Sequence, residues 1–378
     1  MRKTTTRLSD GRELIYYDAD PAGAVPTPPR RPLPDPRPVP PATRAGTSER
    51  RVDRLTGETV AYAAHRQDRT FLPPADQCPL CPSTDERASE IPDRDYRVAV
   101  FENRFPAFSG DAGRCELVCF TPEHDRSFAD IGEAQAGLVL EVWTDRTAAL
   151  GALPGVRQVY PFENRGAEIG VTLSHPHGQV YGYPYLPPRT GRELRALAGH
   201  RSRTGGNLAD ELLADELAYG RRVVAESTHW VAYVPHAARW PYEVHLRPHR
   251  RVPDLTALHA AERAEFPRLY LRLLRGFDLL FGPGQPPTPY IAAWQQAPLG
   301  GRGERGERGE LGERDELGEF GELCIGREEF ALRLELFTIR RGPGKLKYLA
   351  GSESGAGAFV SDVLPETAAA RLREVTAP

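Results

Sequence analysis

The sequence predicts an α+β protein made of two similar halves, with mostly antiparallel sheets and helices packed on them. Three observations predict it. β-type runs recur along most of the chain, long helical stretches separate them, and one short pattern occurs twice. Its first copy is Val98-Ala99-Val100-Phe101, then Glu116-Leu117-Val118-Cys119-Phe120-Thr121-Pro122-Glu123-His124, then a helix. Its second is Val231-Ala232-Tyr233-Val234, then Glu243-Val244-His245-Leu246-Arg247-Pro248-His249, again followed by a helix. Each copy reads as strands leading to a proline and a histidine. Duplication of this kind packs two α+β units as a pseudo-dimer.

Taken in chain order, residues 7–18 read as a short strand around Leu14-Ile15-Tyr16-Tyr17. Pro21 to Thr47 is rich in Pro, Ala and Arg, which suits an extended linker and not a core. The folded body is expected to begin near Arg50. Strands are expected at Thr59–Ala64, Tyr96–Glu102, Glu116–Thr121, Gln158–Phe162 and Gln179–Tyr183. Ile131–Leu150 is strongly helical, its apolar Ile131, Leu138, Val142 and Leu150 falling at near-helical intervals. Further helices are expected at Asn207–Glu226 and Leu255–Phe281. Gly300 to Gly321 repeats Gly-Glu-Arg without proline, too short for a triple helix, and reads as a solvated insertion. The resulting division is 1–49 (strand and linker), 50–206 (first half) and 207–378 (second half, carrying the insertion).

Bulk properties narrow the function classes. At 378 residues the chain can bury a full core, and a formal net charge of −3 supplies no attraction to nucleic acid or a membrane surface. Lysine occurs only at positions 3, 345 and 347, so the arginine excess is a compositional bias and not an RNA-binding signal. No apolar run follows Met1-Arg2-Lys3, and none reaches the ~18 residues a membrane span needs. The five cysteines, two of them as Cys78-x-x-Cys81, suit metal or thiol chemistry in a reducing compartment, and a cytoplasmic protein is expected.

The strongest chemical signal is Leu173-Ser174-His175-Pro176-His177-Gly178-Gln179-Val180-Tyr181. Proline restricts itself and the residue before it, so the flanking histidines have fixed directions. One imidazole can serve a metal and the other a substrate. Gly178 gives a phosphate room to approach, and Gln179 can donate to a phosphoryl oxygen without adding charge. A bare His-x-His is more often a pair of loop histidines bonded to backbone; the following Gly-Gln tips the balance. Cys78-Pro79-Leu80-Cys81 can clip a tetrahedral zinc ion between two thiolates, with His124 and His175 as candidates for the remaining ligands. Cys115 and Cys119 read as small core residues. Phe101-Glu102-Asn103-Arg104-Phe105-Pro106 and Tyr160-Pro161-Phe162-Glu163-Asn164-Arg165-Gly166 are strand-to-loop transitions. There Asn and Arg can reach ribose or phosphate, although ordinary turn chemistry explains them equally well.

These pieces, in this order, resemble the galactose-1-phosphate uridylyltransferases of the histidine-triad superfamily, from about Arg51 to Ala377. The His-Pro-His-Gly-Gln motif is highly specific to that family and its close relatives. His65-Arg66-x-x-Arg69 resembles its paired arginines, Trp240-Pro241-Tyr242-Glu243 its second-half strand signature, and Lys347-Tyr348-Leu349-Ala350-Gly351-Ser352-Glu353 its sugar-binding loop. The resemblance implies two histidine-triad-like halves and a ping-pong exchange of UMP between UDP-glucose and galactose-1-phosphate, giving glucose-1-phosphate and UDP-galactose. It makes His177 the nucleophile and Gln179 the residue that stabilises phosphoryl charge. It implies one structural zinc on Cys78, Cys81, His124 and His175. Arg66, Arg69, Asn103, Glu163, Asn164, Thr172, Lys347 and Glu353 become substrate contacts, and the expected assembly is a homodimer.

One departure stands out. The family often holds a second metal on a glutamate and three histidines. Glu193 matches the glutamate, but Gln295, Arg333 and Glu335 stand at the histidine positions. A guanidinium cannot ligate a cation, so the second site is expected to be absent, with Arg333 pairing with Glu193 or Glu335. Two alternatives compete with the main reading: another nucleotidylyl transferase or phosphorylase of the superfamily, and a catalytically silent zinc-bearing nucleotide-binding protein.

Overall fold

Alternating apolar residues bounded by glycine and proline give strands, and fifteen of them form among the described residues of the computed structural model. Residues 1–19, 30–37, 49–68, 71–109, 113–299 and 326–377 are described. The first half runs β1 (Arg2–Arg7), β2 (Glu13–Asp18), β3 (Glu49–Val52), β4 (Thr59–Tyr62), β5 (Val98–Glu102), β6 (Arg114–Cys119), α1 (Glu133–Gly151), β7 (Gln158–Arg165) and β8 (His177–Tyr183). Helices α2 (Pro188–Thr204) and α3 (Leu208–Tyr219) lead to the second. That half runs β9 (Val223–Glu226), β10 (Trp230–Tyr233), β11 (Val244–Pro248), α4 (Ala260–Leu279), β12 (Tyr290–Gln295), β13 (Arg333–Phe337), β14 (Arg340–Gly342), β15 (Lys345–Leu346) and α5 (Pro365–Val375).

Eleven strands make one antiparallel sheet in the order β1-β2-β5-β6-β8-β7-β12-β13-β11-β10-β9. The order is palindromic about the β7–β12 seam. It matches β5 with β10, β6 with β11, β7 with β12 and β8 with β13, and α1 and α4 follow equivalent strands. The duplicated α+β halves expected from the repeat are therefore present. The sheet's helix-covered face is the core, where Phe128 stacks on Trp143 at 5.8 Å and meets Tyr270 edge-on at 5.2 Å. Each such buried ring contributes about 1.5–3 kcal/mol through area removed from water.

Three boundaries differ from the sequence reading. The folded body does not begin near Arg50: β1 and β2 form a hairpin, and β2 pairs with β5 from Leu14 opposite Phe101 to Tyr17 opposite Val98. Residues 30–37 of the expected linker are held by ion pairs of Arg30 with Asp18 and of Arg37 with Glu90; the rest of Pro21–Thr47 lies outside the described residues, as does Gly300–Gly321. The helix expected over Asn207–Glu226 stops at Tyr219, because Gly220 turns left-handed (φ 69°) and its N–H caps Glu216; residues 223–226 are β9. Helix α2 was not among the expected helices; Pro188 starts it, Gly205 (φ 74°) ends it, and its apolar Leu197 is buried on an otherwise arginine-rich segment.

Candidate active site and metal centre

β8 sits in mid-sheet between β6 and β7, so its direction is fixed by ladders on both sides. Alternation sends Val180 into the core and Gly178 over the core ring of Phe120, leaving His177, Gln179 and Tyr181 on the opposite face. A side chain at Gly178 would stand 2.8 Å from Phe120 Cζ and 2.9 Å from the Phe162 carbonyl oxygen. Glycine is required there for packing.

His177 Nδ1 lies 2.7 Å from the His175 carbonyl oxygen. A carbonyl only accepts, so Nδ1 carries the proton and Nε2 keeps its lone pair. Burial lowers the imidazole's pKa below its ordinary value, against the opposing pull of that carbonyl, and favours the neutral ring. A neutral imidazole with a bare Nε2 is the nucleophilic form.

The face in front of His177 is a pocket. Its apolar walls include Leu80, Phe101, Leu117 and Phe162, and its polar groups include Arg66, Asn103, Asn164, Thr172 and Gln179. Six of the residues expected at the site, His177 and these five, thus come together. Asn103 Oδ1 accepts from the Phe105 N–H at 2.8 Å, which commits its oxygen and leaves its NH₂ as donor. Arg66 reaches the Tyr181 hydroxyl at 3.5 Å.

The remaining expected contacts fall elsewhere. Phe162 and Asn164 face the pocket, so Glu163 between them faces the helices; it is buried and accepts from the Tyr290 hydroxyl at 2.9 Å. Burial pushes its carboxyl up to about 7, and it is not among the residues that line this pocket. Lys347 Nζ pairs with Glu353 Oε1 at 2.8 Å, and neither lines the pocket of this chain. The Lys347 hydrogen bond holds the Glu353 carboxyl down at about 2. Arg69 lies outside the described residues. Sequence reasoning passed over Glu90, which reaches the pocket wall from a loop with no motif around it.

Cys78, Cys81, His124 and His175 converge, with one potential ligand atom of each within 4.8 Å of all the others. Cys81 Sγ is 3.2 Å from His124 Nδ1 and 3.5 Å from His175 Nδ1. Ligands about 2.0–2.3 Å from a tetrahedral ion are spaced much like this. His175 Nε2 donates to the Thr121 carbonyl at 2.8 Å, leaving Nδ1 bare toward the sulfurs. The two thiols share a proton: a hydrogen bond from Cys81 holds the Cys78 thiol well below its ordinary range and pushes the Cys81 thiol well above its own, so one thiolate is at hand and a bound cation would displace the remaining proton. These residues fit a metal site.

The second-metal position is different. Arg333 donates bidentately to Glu193 at 2.7 and 2.9 Å and, through Nε, to Glu335 at 2.9 Å. Arg189 donates to the same Glu335 oxygen at 2.6 Å, and Gln295 reaches the other at 3.4 Å. Burial alone would raise Glu335, but Arg333, His245 and Arg189 hold it at about 2. Glu243, His245 and Glu335 are also close enough to share an ion. Two guanidiniums, those of Arg189 and Arg333, also contact Glu335.

Comparison with known proteins bears on both sites. Family models for galactose-1-phosphate uridyl transferase match in two parts, the N-terminal domain over residues 108–187 and the C-terminal domain over 193–309. A galactose-1-phosphate uridylyltransferase of Streptomyces lividans is 51% identical, covering 99% of this chain and 98% of its own. The Thermotoga maritima enzyme of that name is 31% identical over 86% of this chain and 98% of its own. A solved uridylyltransferase structure superposes with a TM-score of 0.70 at 28% identity, covering 87% of this chain and 98% of that one. An ADP-glucose phosphorylase from Arabidopsis thaliana shares the fold at 21% identity and TM-score 0.63. Fold and site are those of an enzyme of the nucleotidyltransferase class. The chain belongs to the galactose-1-phosphate uridylyltransferase family.

Proposed function

We propose that this enzyme exchanges UMP between UDP-glucose and galactose-1-phosphate through a covalent uridylyl-His177. The observation that carries the reading is the His177 geometry: Nδ1 is tied to the His175 carbonyl and Nε2 is left bare on the pocket face. Nε2 attacks the α-phosphorus, a P–N bond forms, the P–O bond breaks, and glucose-1-phosphate departs with the electron pair. A phosphate oxygen of galactose-1-phosphate then attacks the same phosphorus, restoring the imidazole and giving UDP-galactose. Gln179, two residues on along β8, donates its amide to the phosphoryl oxygens as charge builds there. Asn103, Asn164, Thr172 and Arg66 hold the uridylyl portion, the apolar walls taking the base.

The metal is zinc, one per chain, held by Cys78, Cys81, His124 and His175. When bound it fixes His175, and with it the carbonyl that sets the His177 tautomer. In the second half the Arg333–Glu193–Glu335 network stands where relatives would place another ion. Cysteines used as metal ligands suit a reducing, cytoplasmic setting. Among the described residues no helix is long and apolar enough to cross a membrane. Lys347 and Glu353 serve the hexose from the C-terminal loop. Exposed apolar side chains there (Tyr348, 71% exposed; Leu364, 71%) support burial in a homodimer.

Turnover of galactose-1-phosphate with a panel of UDP-glucose, ADP-glucose and GDP-glucose tests this reading. UDP-glucose should exceed the others by at least ~100-fold in kcat/KM, because each lost polar contact leaves a buried group unpaired. Preference for ADP-glucose, or phosphorolysis by inorganic phosphate, would contradict it.

A further inference from the structure

Glu90 is an ionisable residue on the pocket wall with no part in the chemistry above, and it is only 5% exposed. Three arginines from distant parts of the chain meet on it. Arg12, in the turn between β1 and β2, donates to Glu90 Oε2, and Arg37 reaches Oε1 at 2.8 Å. Arg104 Nη1 lies 3.7 Å from Oε1 and itself lines the pocket. The two N-terminal arginines are themselves held. Arg12 Nε donates to Asp10 at 2.8 Å, and Arg37 binds Asp35 in a fork at 2.9 and 2.7 Å. Asp35 in turn accepts from the Ser9 N–H at 2.9 Å, which ties residues 30–37 back to the β1–β2 turn. Arg12 Nη1 also donates to the Glu102 carbonyl at 2.8 Å, one residue before Asn103. The N-terminal segment therefore touches the two elements that form one wall of the pocket.

We propose that Arg12 and Arg37 are positioning residues for nucleotide binding, acting through Glu90, and that the N-terminal segment is part of the substrate site. This rests on the pocket being the nucleotide pocket. A buried carboxylate beside a nucleoside diphosphate is tolerable only while its charge is compensated. Both oxygens of Glu90 are occupied by guanidiniums, so the incoming anion meets a neutralised wall, and Arg104 is held where it can face the ligand. Removing Arg37 leaves Glu90 under-compensated and free to turn toward the phosphates. Ordering residues 30–37 costs backbone entropy, which the convergence of three carboxylates (Asp10, Asp35 and Glu90) with three arginines (Arg12, Arg37 and Arg104) offsets.

The test is steady-state kinetics of Arg37→Ala, Arg37→Lys, Glu90→Gln and the Arg37→Ala/Glu90→Gln double variant. In a ping-pong cycle the uridylyl group is already covalently held when galactose-1-phosphate enters. Arg37→Ala should therefore lower kcat/KM for UDP-glucose about tenfold and that for galactose-1-phosphate, which brings one phosphate to the wall where UDP-glucose brings two, by a smaller factor of about threefold. Arg37→Lys should recover most of the loss. With Gln at position 90 the Arg37→Ala change should add less than about twofold, because the charge it compensates is gone. Equal losses in both backgrounds, or a lowered melting temperature with kcat/KM for UDP-glucose unchanged, would overturn the proposal. Wild-type enzyme that turns over no nucleotide sugar would overturn the underlying reading of the pocket, and that result appears before any variant is examined.

Discussion

Gly178→Ala tests how closely the nucleophile depends on the packing beneath it. The added methyl would stand 2.8 Å from Phe120 Cζ and 2.9 Å from the Phe162 carbonyl oxygen. Ordinary carbon contacts are about 3.5–4.0 Å, so roughly 0.5–1 Å must be found. The Phe120 ring has no room to retreat: it is fully buried and meets Phe128 at 5.0 Å and Trp143 at 5.9 Å. The Phe162 oxygen belongs to β7, which is paired on both sides. Strand β8 must yield instead, lifting His177 and Gln179 on its other face. Overpacking of this kind costs about 1–3 kcal/mol, and a displacement near 1 Å costs roughly 100-fold in rate. The variant should melt a few degrees below wild type, by about 2–4 °C per kcal/mol at most for a chain of this size. It should lose about 10- to 100-fold in kcat by a coupled assay of glucose-1-phosphate release. Wild-type activity together with a wild-type melting temperature would refute the argument.

Burial holds the Glu163 carboxyl at about 7 against an ordinary 4.5, so the folded chain keeps a proton that the unfolded chain releases. Its contribution is therefore unpenalised below pH 4.5, is lost progressively as pH rises to 7, and stays lost above. Glu163→Gln should gain up to about 3 kcal/mol at pH 8 and almost nothing at pH 4.5, and denaturant titrations at the two pH values with equal gains would disprove this. Arg333→Ala strips Glu193 of its bidentate partner and leaves Glu335 to Arg189, a loss of about 3–5 kcal/mol in unfolding free energy; an unchanged denaturation midpoint would rule out the ion network as a structural unit. Metal analysis should find one zinc per chain, absent from Cys81→Ser, with a lower melting temperature in the depleted protein. Two equivalents in the wild type would contradict the reading of the second-half site.

The repeat was legible because it is a pattern of strand, proline and helix, and strand order follows from pairing equivalent elements about one seam. The His-Pro-His-Gly-Gln strand was legible because its residue types are adjacent, and the convergence of Cys78, Cys81, His124 and His175 because paired thiolates call for two further donors. Glu163, which the resemblance makes a substrate contact, lies between Phe162 and Asn164 on β7; these two line the pocket and Glu163 does not, because one residue along a strand exchanges faces. The end of α3 turned on Gly220 alone, against helix-forming residues on either side. The role of residues 30–37 was hidden because their composition is that of a linker. What orders the described part is long-range, Arg37 meeting Glu90 and Arg30 meeting Asp18 and Asp93. Pairings of that kind leave no periodic trace in the sequence.

The central claim is a covalent uridylyl-histidine at position 177, and intact-protein mass spectrometry after mixing with UDP-glucose tests it most directly. The account predicts a gain equal to one uridylyl group per chain, lost on adding galactose-1-phosphate and absent from His177→Gly. No adduct from UDP-glucose, or an adduct that persists in His177→Gly, would contradict it.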